Sequence, residues 1–230
     1  MFKRSCEKRI NMMLSVYFFV MIRYNKTMKL TMIRHAQTRG NAEKRYLGTT
    51  ESELTEVGAA QQAKALAHFE GTPIDAVYAS PTGRTMAMAE ELAQAKQLPV
   101  HQDDRLREMD FGIFDGLTAA EAEKKDRGVW KAWLADFDRY RLPEGESFQD
   151  LKTRFAAFWQ AINRQYGDSA HVVLVTHGGV CRAALAVLCS LPDAVSWHVE
   201  TQPASIMQIH MIGDYGVLCG LIPPDQLQVF

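Results

Sequence analysis

Residues 171–179 read His-Val-Val-Leu-Val-Thr-His-Gly-Gly, and this stretch decides the fold class. A short apolar run that ends at glycine is typical of a strand buried on both faces of a sheet. Residues 29–33 (Lys-Leu-Thr-Met-Ile) and 75–79 (Asp-Ala-Val-Tyr-Ala) have the same character. Helical patterns separate the three runs. This alternation predicts an α/β fold with a mainly parallel central sheet flanked by helices.

Capping residues indicate where the helices begin. Thr55 is an N-cap signal for one helix, and Ser80-Pro81 opens the next, since proline suits the first helical position. Ser147 precedes a long amphipathic helix. Near the end of the chain, residues 204–211 and 217–221 flank a glycine-rich turn and predict a hairpin.

The segment at about 108–146 interrupts the alternation of strands and helices. A capping-box pattern at Thr118 leads into a helical stretch with Trp130 and Trp133. We therefore expect a helical insert or lid beside the sheet, within a single domain that spans 28–230. The helical spacing of the two tryptophans favours core packing, and stacking on a flat ligand is the alternative.

Residues 1–27 differ in composition from the rest of the chain. A basic start precedes the apolar run from Met12 to Ile22, which is shorter than the ~20 residues that a membrane span needs. The length suits a secretory signal, but no small-x-small cleavage pattern comes after it. We expect the functional protein to start at Met28, with residues 1–27 as an extension outside the fold and no stable membrane insertion. A signal or membrane anchor is the alternative.

The charge balance limits which partners are expected, and the cysteines indicate the cellular compartment. Lys and Arg total 26 and Asp and Glu total 27, for a net charge of −1. A general nucleic-acid-binding protein needs a basic surplus, so nucleic acid is not an expected partner. The 4 cysteines form no CxxC pair and indicate core thiols in a reducing cytoplasm. The sequence leaves the oligomeric state open, with a homodimer as one option.

The three predicted strands end in residues suited to anion chemistry. Arg34 and His35 follow the first strand. Arg84 comes shortly after the second, and His177 with Gly178 follows the third. The carboxyl ends of parallel strands meet at one edge of a sheet, so we expect these residues to share a pocket. Arginine fits a phosphate bidentately and helix N-termini add N–H donors, so the pocket predicted is a site for a phosphomonoester.

The same residue types can also carry a reaction. Imidazole is a nucleophile, and one histidine can attack phosphorus in line while the arginines stabilise the equatorial oxygens. The leaving alkoxide needs a proton, for which Glu108 is the best candidate acid. Asn41 can supply a neutral donor. Gln37 and Thr38 lie beside the first histidine and are candidates for contacting the phosphate or fixing the loop.

Four motifs resemble those of a known family. Residues 34–41 (Arg-His-Ala-Gln-Thr-Arg-Gly-Asn) resemble the R-H-G-x-T/S-x-x-N signature of the histidine phosphatase superfamily, which includes cofactor-dependent phosphoglycerate mutases. Residues 80–85, 106–112 and 176–180 resemble its second-arginine, acid-loop and second-histidine motifs, in the family's order. Ala36 departs from the signature, which has glycine there. Since alanine is the smallest alternative, we expect a slight backbone adjustment.

The resemblance implies roles for individual residues. His35 would be the phosphorylated nucleophile, and Glu108 would be the proton donor. The phosphate would be held by Arg34, Arg84 and His177, with Asn41 assisting. The resemblance implies no metal and no other cofactor. A metal hydrolase that uses the two histidines is a weaker alternative, because neither motif has further ligands close by.

Other segments indicate which phosphatase the chain resembles. Mutases of this family have an arginine-rich insert after the acid loop. Because this chain has no such insert there, the resemblance favours a phosphatase over a mutase. Residues 45–48, 130–133, 143–148 and 192–198 most resemble the α-ribazole phosphatases, which implies hydrolysis of α-ribazole 5′-phosphate in cobalamin biosynthesis. The alternatives are a broad-specificity sugar phosphate phosphatase and a phosphoglycerate mutase. A phospho-ligand-binding module without turnover is an alternative of a different class.

Overall fold

The computed structural model describes residues 27–167 and 169–227, so the predicted extension lies, except for Thr27, outside the described residues. Within them, one six-stranded sheet has the order β3-β2-β4-β1-β5-β6. Its strands are β1 (Met28–Arg34), β2 (Ala76–Ala79), β3 (Val100–Gln102), β4 (His171–Thr176), β5 (Ile206–Ile212) and β6 (Tyr215–Ile222). The first four are parallel, and β5 and β6 form an antiparallel hairpin on β1. The predicted mainly parallel α/β sheet and the hairpin are confirmed.

The helices follow most of the predicted starts. They are α1 (Arg39–Ala42), α2 (Glu56–Ala67), α3 (Gly83–Lys96), α4 (Ala119–Lys125), α5 (Arg127–Ala135), α6 (Phe148–Gln165), α7 (Gly178–Leu188) and α8 (Asp193–Ser196). The side chains of Thr55, Thr118 and Ser147 cap α2, α4 and α6 by accepting backbone N–H groups. None of the helices among the described residues is long and apolar enough to span a membrane.

Two helix boundaries differ from the sequence prediction. The stretch after Thr118 is two helices rather than one, because Asp126 ends α4 and its side chain caps α5. Helix α3 begins at Gly83, with Thr82 rather than Ser80-Pro81 at the N-cap. The backbone N–H of Ser80 donates to the carbonyl of Val175 on β4 at 3.1 Å, so Ser80 is still tied to the sheet rather than to the helix.

The sheet separates two apolar layers. Alternate residues of β1 divide between them, with Leu30 and Met32 on one face and Ile33 on the other, as a period of two requires. Helices α6 and α7 contribute side chains to the first layer, and α2 and α3 contribute to the second. The carboxyl ends of the parallel strands are thus held between two packed layers.

The segment 108–146 packs on the first layer through aromatic rings. The side chain of Trp133 is fully buried, and its ring lies 5.6 Å from that of Trp130 and 4.8 Å from that of Phe137, between centroids. Both tryptophans belong to the core, as their spacing favoured. Neither lines the cavity next to Arg34 and Glu108, so the alternative of stacking on a ligand is not supported.

Candidate active site

Strand order brings the three predicted strand ends together. Strands β2, β4 and β1 are neighbours in the sheet, so the residues that follow them lie at one edge. The rings of His35 and His177 are 5.2 Å apart between centroids, at an angle of 68°. Both side chains are buried. The structure therefore holds two imidazoles in contact at the carboxyl edge of the sheet.

The hydrogen bond of His35 determines its tautomer. Its Nδ1 lies 2.8 Å from the carbonyl oxygen of Ala36. A carbonyl only accepts, so Nδ1 carries the proton and Nε2 keeps its lone pair. Burial, and then the positive charges of Arg34 and Arg84, hold the pKa of His35 well below its ordinary value of 6.5. The ring is therefore neutral near pH 7, and Nε2 is available as a nucleophile.

Ser80 orients His177, a role that the sequence analysis did not assign. The Nε2 atom of His177 lies 2.8 Å from the Oγ of Ser80. The other ring nitrogen, Nδ1, is buried and has no hydrogen-bond partner among the described residues. Burial first, and then neighbouring His35 and the arginines, lowers the pKa of His177. The neutral ring can accept from Ser80 at Nε2 and offer an N–H at Nδ1.

The two arginines are held by backbone carbonyls. Three carbonyl oxygens of residues 47–50 accept from Arg84, at 2.9, 3.0 and 3.1 Å. Arg34 donates from Nη1 to the carbonyl of Thr201 at 2.5 Å. The Nε of each arginine is buried without a partner among the described residues. Burial lowers the pKa of both guanidinium groups, but arginine remains a cation at neutral pH.

Asp115 shapes the loop that holds Arg84. Its carboxylate accepts the backbone N–H groups of Gly48, Thr49 and Thr50, at 2.7, 3.0 and 2.8 Å. Burial alone raises the pKa of Asp115, but these bonds and those from the two threonine hydroxyls outweigh it and lower the pKa. Asp115 is thus an ionised anchor for residues 47–50. Sequence reasoning missed it, because the partners are far apart in the chain.

Glu108 lies against the start of α7. Its Oε2 accepts the N–H of Gly179 at 3.0 Å, and its Oε1 accepts the N–H of Met109 at 2.9 Å. Its negative charge opposes the effect of burial on the pKa of Arg34 and Arg84, and it lines the same cavity as Arg34. A Cβ on residue 179 would lie 2.2 Å from Oε1, so the glycine leaves the space that the carboxylate occupies.

Arg154 holds the loop that carries Glu108. It donates to the carbonyl oxygens of Arg105, Arg107 and Glu108, at 2.9, 2.6 and 2.8 Å. It also pairs with both carboxylate oxygens of Glu146 at 2.9 Å each. The sequence analysis did not single out this residue. Its place within the apolar face of α6 was the available signal, because a charge there needs buried partners.

The remaining predicted residues support the loop after His35. The backbone N–H of Gln37 donates to the Oε1 of Gln61 at 3.1 Å, and the hydroxyl of Thr55 donates to the Oε1 of Gln37 at 2.9 Å. The Oδ1 of Asn41 accepts from the N–H and hydroxyl of Thr38, at 3.1 and 3.0 Å. These bonds occupy the amide oxygen of Asn41, so its amide nitrogen is the part that can still donate to a ligand.

Ala36 fits the structure without strain. Its φ is not among the positive values of the described non-glycine residues, so this position does not need the freedom of glycine. Its methyl group is fully buried in the same layer as Ile33 and Val175. The departure from the family signature therefore requires no left-handed backbone.

Comparison with known proteins assigns the family. Residues 30–220 match the family described as "Histidine phosphatase superfamily (branch 1)". The chain belongs to the histidine phosphatase superfamily. "Phosphoserine phosphatase 1" of Hydrogenobacter thermophilus is 31% identical over 184 residues, which cover 80% of this chain and 86% of that protein. "Adenosylcobalamin/alpha-ribazole phosphatase" of Salmonella typhimurium is 27% identical over 175 residues, covering 76% and 86%.

A solved structure agrees with this assignment. The alpha-ribazole phosphatase from Shigella flexneri superimposes with a TM-score of 0.77 at 27% identity, covering 86% of this chain and 97% of that one. Family membership makes this histidine phosphatase a hydrolase of phosphoric monoesters that acts on small phosphorylated substrates. Within the residues that the structure describes, no three His, Cys, Asp or Glu side chains converge as metal ligands.

Because the pKa values of the two buried histidines are lowered, we expect the protein to lose stability in acid. Their folded-state pKa values are lowered, whereas in the unfolded chain each takes up a proton near pH 6.5. Below that pH the unfolded state binds more protons, so the free energy of unfolding falls by up to about 1.4 kcal/mol per pH unit for each histidine. Urea unfolding of the His35→Gln and His177→Gln variants between about pH 7.5 and about pH 5 should show a shallower fall than the wild type. Equal slopes in all three proteins would contradict the prediction.

Proposed function

We propose that this histidine phosphatase hydrolyses its substrate through a phosphohistidine formed at Nε2 of His35. One observation carries the proposal: the ring of His177 contacts that of His35, and the Nδ1 of His177 and the Nε atoms of Arg34 and Arg84 are buried without partners among the described residues. A buried donor left unpaired costs about 1–3 kcal/mol. A group that accepts from all three offsets this cost. A phosphate dianion has both the oxygens and the charge to do so.

The geometry supports a two-step reaction. In the first step, Nε2 of His35 attacks phosphorus in line, the N–P bond forms, and the P–O ester bond breaks. Protonated Glu108 gives its proton to the leaving alkoxide. Arg34 and Arg84 stabilise the charge on the equatorial oxygens. In the second step, water attacks phosphorus, Glu108 takes up a proton from it, and the electron pair of the N–P bond returns to Nε2 as inorganic phosphate leaves.

The proposed substrate is α-ribazole 5′-phosphate, hydrolysed to α-ribazole in cobalamin biosynthesis. Two observations support it: the similarity to proteins named α-ribazole phosphatase, and an apolar cavity of about 200 Å³ next to Arg34 and Glu108. The aromatic walls of this cavity suit a flat base and are formed by Tyr46, Phe111, Phe137, Phe148 and Trp197.

The proposed compartment is the cytoplasm. Cys181 is a buried thiol and Cys189 a half-buried one, and neither is joined in a disulfide. Thiols of this kind persist in a reducing compartment.

A second candidate substrate is phosphoserine. The relative from Hydrogenobacter thermophilus that carries this name is 31% identical to the chain. Phosphoserine offers a small alcohol with a carboxylate instead of a flat base, so the two candidates differ in what must fill the cavity.

A substrate panel tests the proposal. We expect kcat/KM for α-ribazole 5′-phosphate to exceed that for ribose 5-phosphate, phosphoserine and 3-phosphoglycerate by about 10- to 100-fold, because only the first fills the aromatic cavity with a flat base. Inorganic phosphate release and product isomers are both measured, since a mutase would convert 3-phosphoglycerate without releasing phosphate. Turnover of α-ribazole 5′-phosphate no better than of sugar phosphates rejects this substrate.

A further inference from the structure

We infer that Arg182 is a specificity-determining residue on the leaving-group side of the site. Its guanidinium binds an oxygen-acceptor group of the alcohol that the enzyme releases, either a carboxylate or a pair of hydroxyls. The inference rests on the proposed function insofar as the phosphoryl group occupies the cradle of Arg34, Arg84 and His177.

Helix α7 sets Arg182 one turn away from that cradle. Gly178 begins the helix, and a Cβ there would lie 3.4 Å from the Cζ of Arg34. Arg182 comes four residues later, on the same face and about 6 Å further along the axis. It lines the cavity of about 200 Å³ together with Arg34 and Glu108. A ligand that extends from the phosphate past Glu108 therefore meets Arg182 next.

The donors of Arg182 are unused in the described part of the chain. Its Nε is buried there without a partner. Within residues 27–167 and 169–227, no hydrogen bond or ion pair of its side chain is formed. Arg182 also lowers the pKa of Arg34, since the two cations repel each other. Arg182 is half-buried, and its buried Nε is a donor for which the described residues supply no acceptor.

Trp197 holds the guanidinium in place. The Cζ of Arg182 lies 4.9 Å from the centroid of the indole ring. The indole is itself fixed, because its Nε1 donates to Asp138 at 3.0 Å and its ring packs 4.4 Å from Phe137 and 5.0 Å from Phe148, between centroids. This arrangement orients the N–H donors before a ligand binds, which reduces the entropy lost on binding.

The cavity thus fits an alcohol with an apolar body and one oxygen-rich group. The aromatic walls take the body, and Arg182 takes the oxygens. The hydroxyls of a ribose and the carboxylate of a phosphorylated hydroxy or amino acid share this acceptor chemistry. A simple aromatic alcohol such as phenol lacks it.

Arg182→Met tests the inference with substrates that differ in that group. For α-ribazole 5′-phosphate, ribose 5-phosphate or phosphoserine, whichever the wild type turns over best, we expect kcat/KM to fall about 10- to 100-fold, the value of a hydrogen bond to a charged group. Phenyl phosphate should lose less than about 3-fold, because its leaving group has no acceptor to lose. A loss confined to phosphoserine identifies a carboxylate ligand, and one confined to the ribose esters identifies hydroxyls.

The controls separate recognition from folding and from the chemistry. Arg164→Met removes an exposed arginine from α6 and should leave all substrates unchanged. Arg182→Lys keeps the charge and should restore part of the loss. An equal loss for every substrate, or no loss for any, overturns the inference. Trapping of phosphorylated His35 reports on the proposed mechanism independently, and failure of α-ribazole 5′-phosphate alone leaves Arg182 testable with phosphoserine.

Discussion

Replacing His35 with alanine should abolish turnover and the phosphorylated intermediate together. The Nε2 atom of this ring is the nucleophile proposed, and the lost covalent route cannot be replaced by water held in a site built for imidazole. We expect kcat on p-nitrophenyl phosphate to fall by a factor on the order of 10⁴ or more. Rapid acid quench is not suitable for trapping, because phosphohistidine is acid-labile. Both proteins are therefore quenched in alkali, in which phosphohistidine survives. The wild type should then carry a phosphoryl group and the variant should carry none.

Two controls make this result specific. His101→Gln alters an exposed histidine on β3, at the edge of the sheet, and should retain full activity and labelling. Addition of EDTA should leave the wild-type rate unchanged, since the proposed chemistry uses no metal. Substantial turnover by a folded His35→Ala variant, or activity abolished by EDTA, would contradict the phosphohistidine mechanism.

Gly179→Ala should disable the proposed acid without unfolding the protein. The added methyl group would lie 2.2 Å from the Oε1 of Glu108, which is the far end of a flexible side chain. The carboxylate can swing away on its flexible side chain, at the loss of its bonds from the N–H groups of Gly179 and Met109, and it then leaves the position beside the leaving group. For substrates that release an alkyl alcohol, we expect kcat to fall about 10²- to 10³-fold, the usual contribution of general acid catalysis.

Comparing substrates with different leaving groups distinguishes loss of the proton donor from damage to the phosphate-binding residues. The p-nitrophenolate ion leaves without a proton, so p-nitrophenyl phosphate should lose much less activity than ribose 5-phosphate. Glu108→Gln should reproduce the same pattern. Gly167→Ala is the matched control, because a Cβ there meets nothing within 4 Å. Equal losses on both substrates in Gly179→Ala would show that the substitution damages the phosphate cradle instead.

Local patterns were sufficient to predict the main elements. The apolar runs at β1, β2 and β4 are buried on both faces, and this requires near-continuous hydrophobic sequence. The caps at Thr55, Thr118 and Ser147 are equally local, because each bond spans three residues. The break between α4 and α5 was missed, since Asp126 ends one helix and starts another within a single periodic stretch.

The supporting side chains could not be predicted from the sequence. Arg154 holds the carbonyl of Glu108 from 46 positions away, and Asp115 holds Thr49 from 66 positions away. Neither belongs to the residues that carry the motif resemblance. The same holds for Arg182, whose unused donors become evident only when the cavity and Trp197 are seen together.

The sequence by itself determined the mainly parallel α/β architecture, and it indicated which side chains follow the strand ends and are candidates for the chemistry. Both depend on local patterns, namely the periodicity within one element and the residues next to one strand end, and each such pattern spans only a few positions of the sequence. Only the tertiary structure decided the tautomer of His35, the partner of His177, the hydrogen bonds of Glu108 and the walls of the cavity next to Arg34 and Glu108. Each of these depends on contacts between strands, loops and helices distant in sequence, and packing of the two layers brings those segments together.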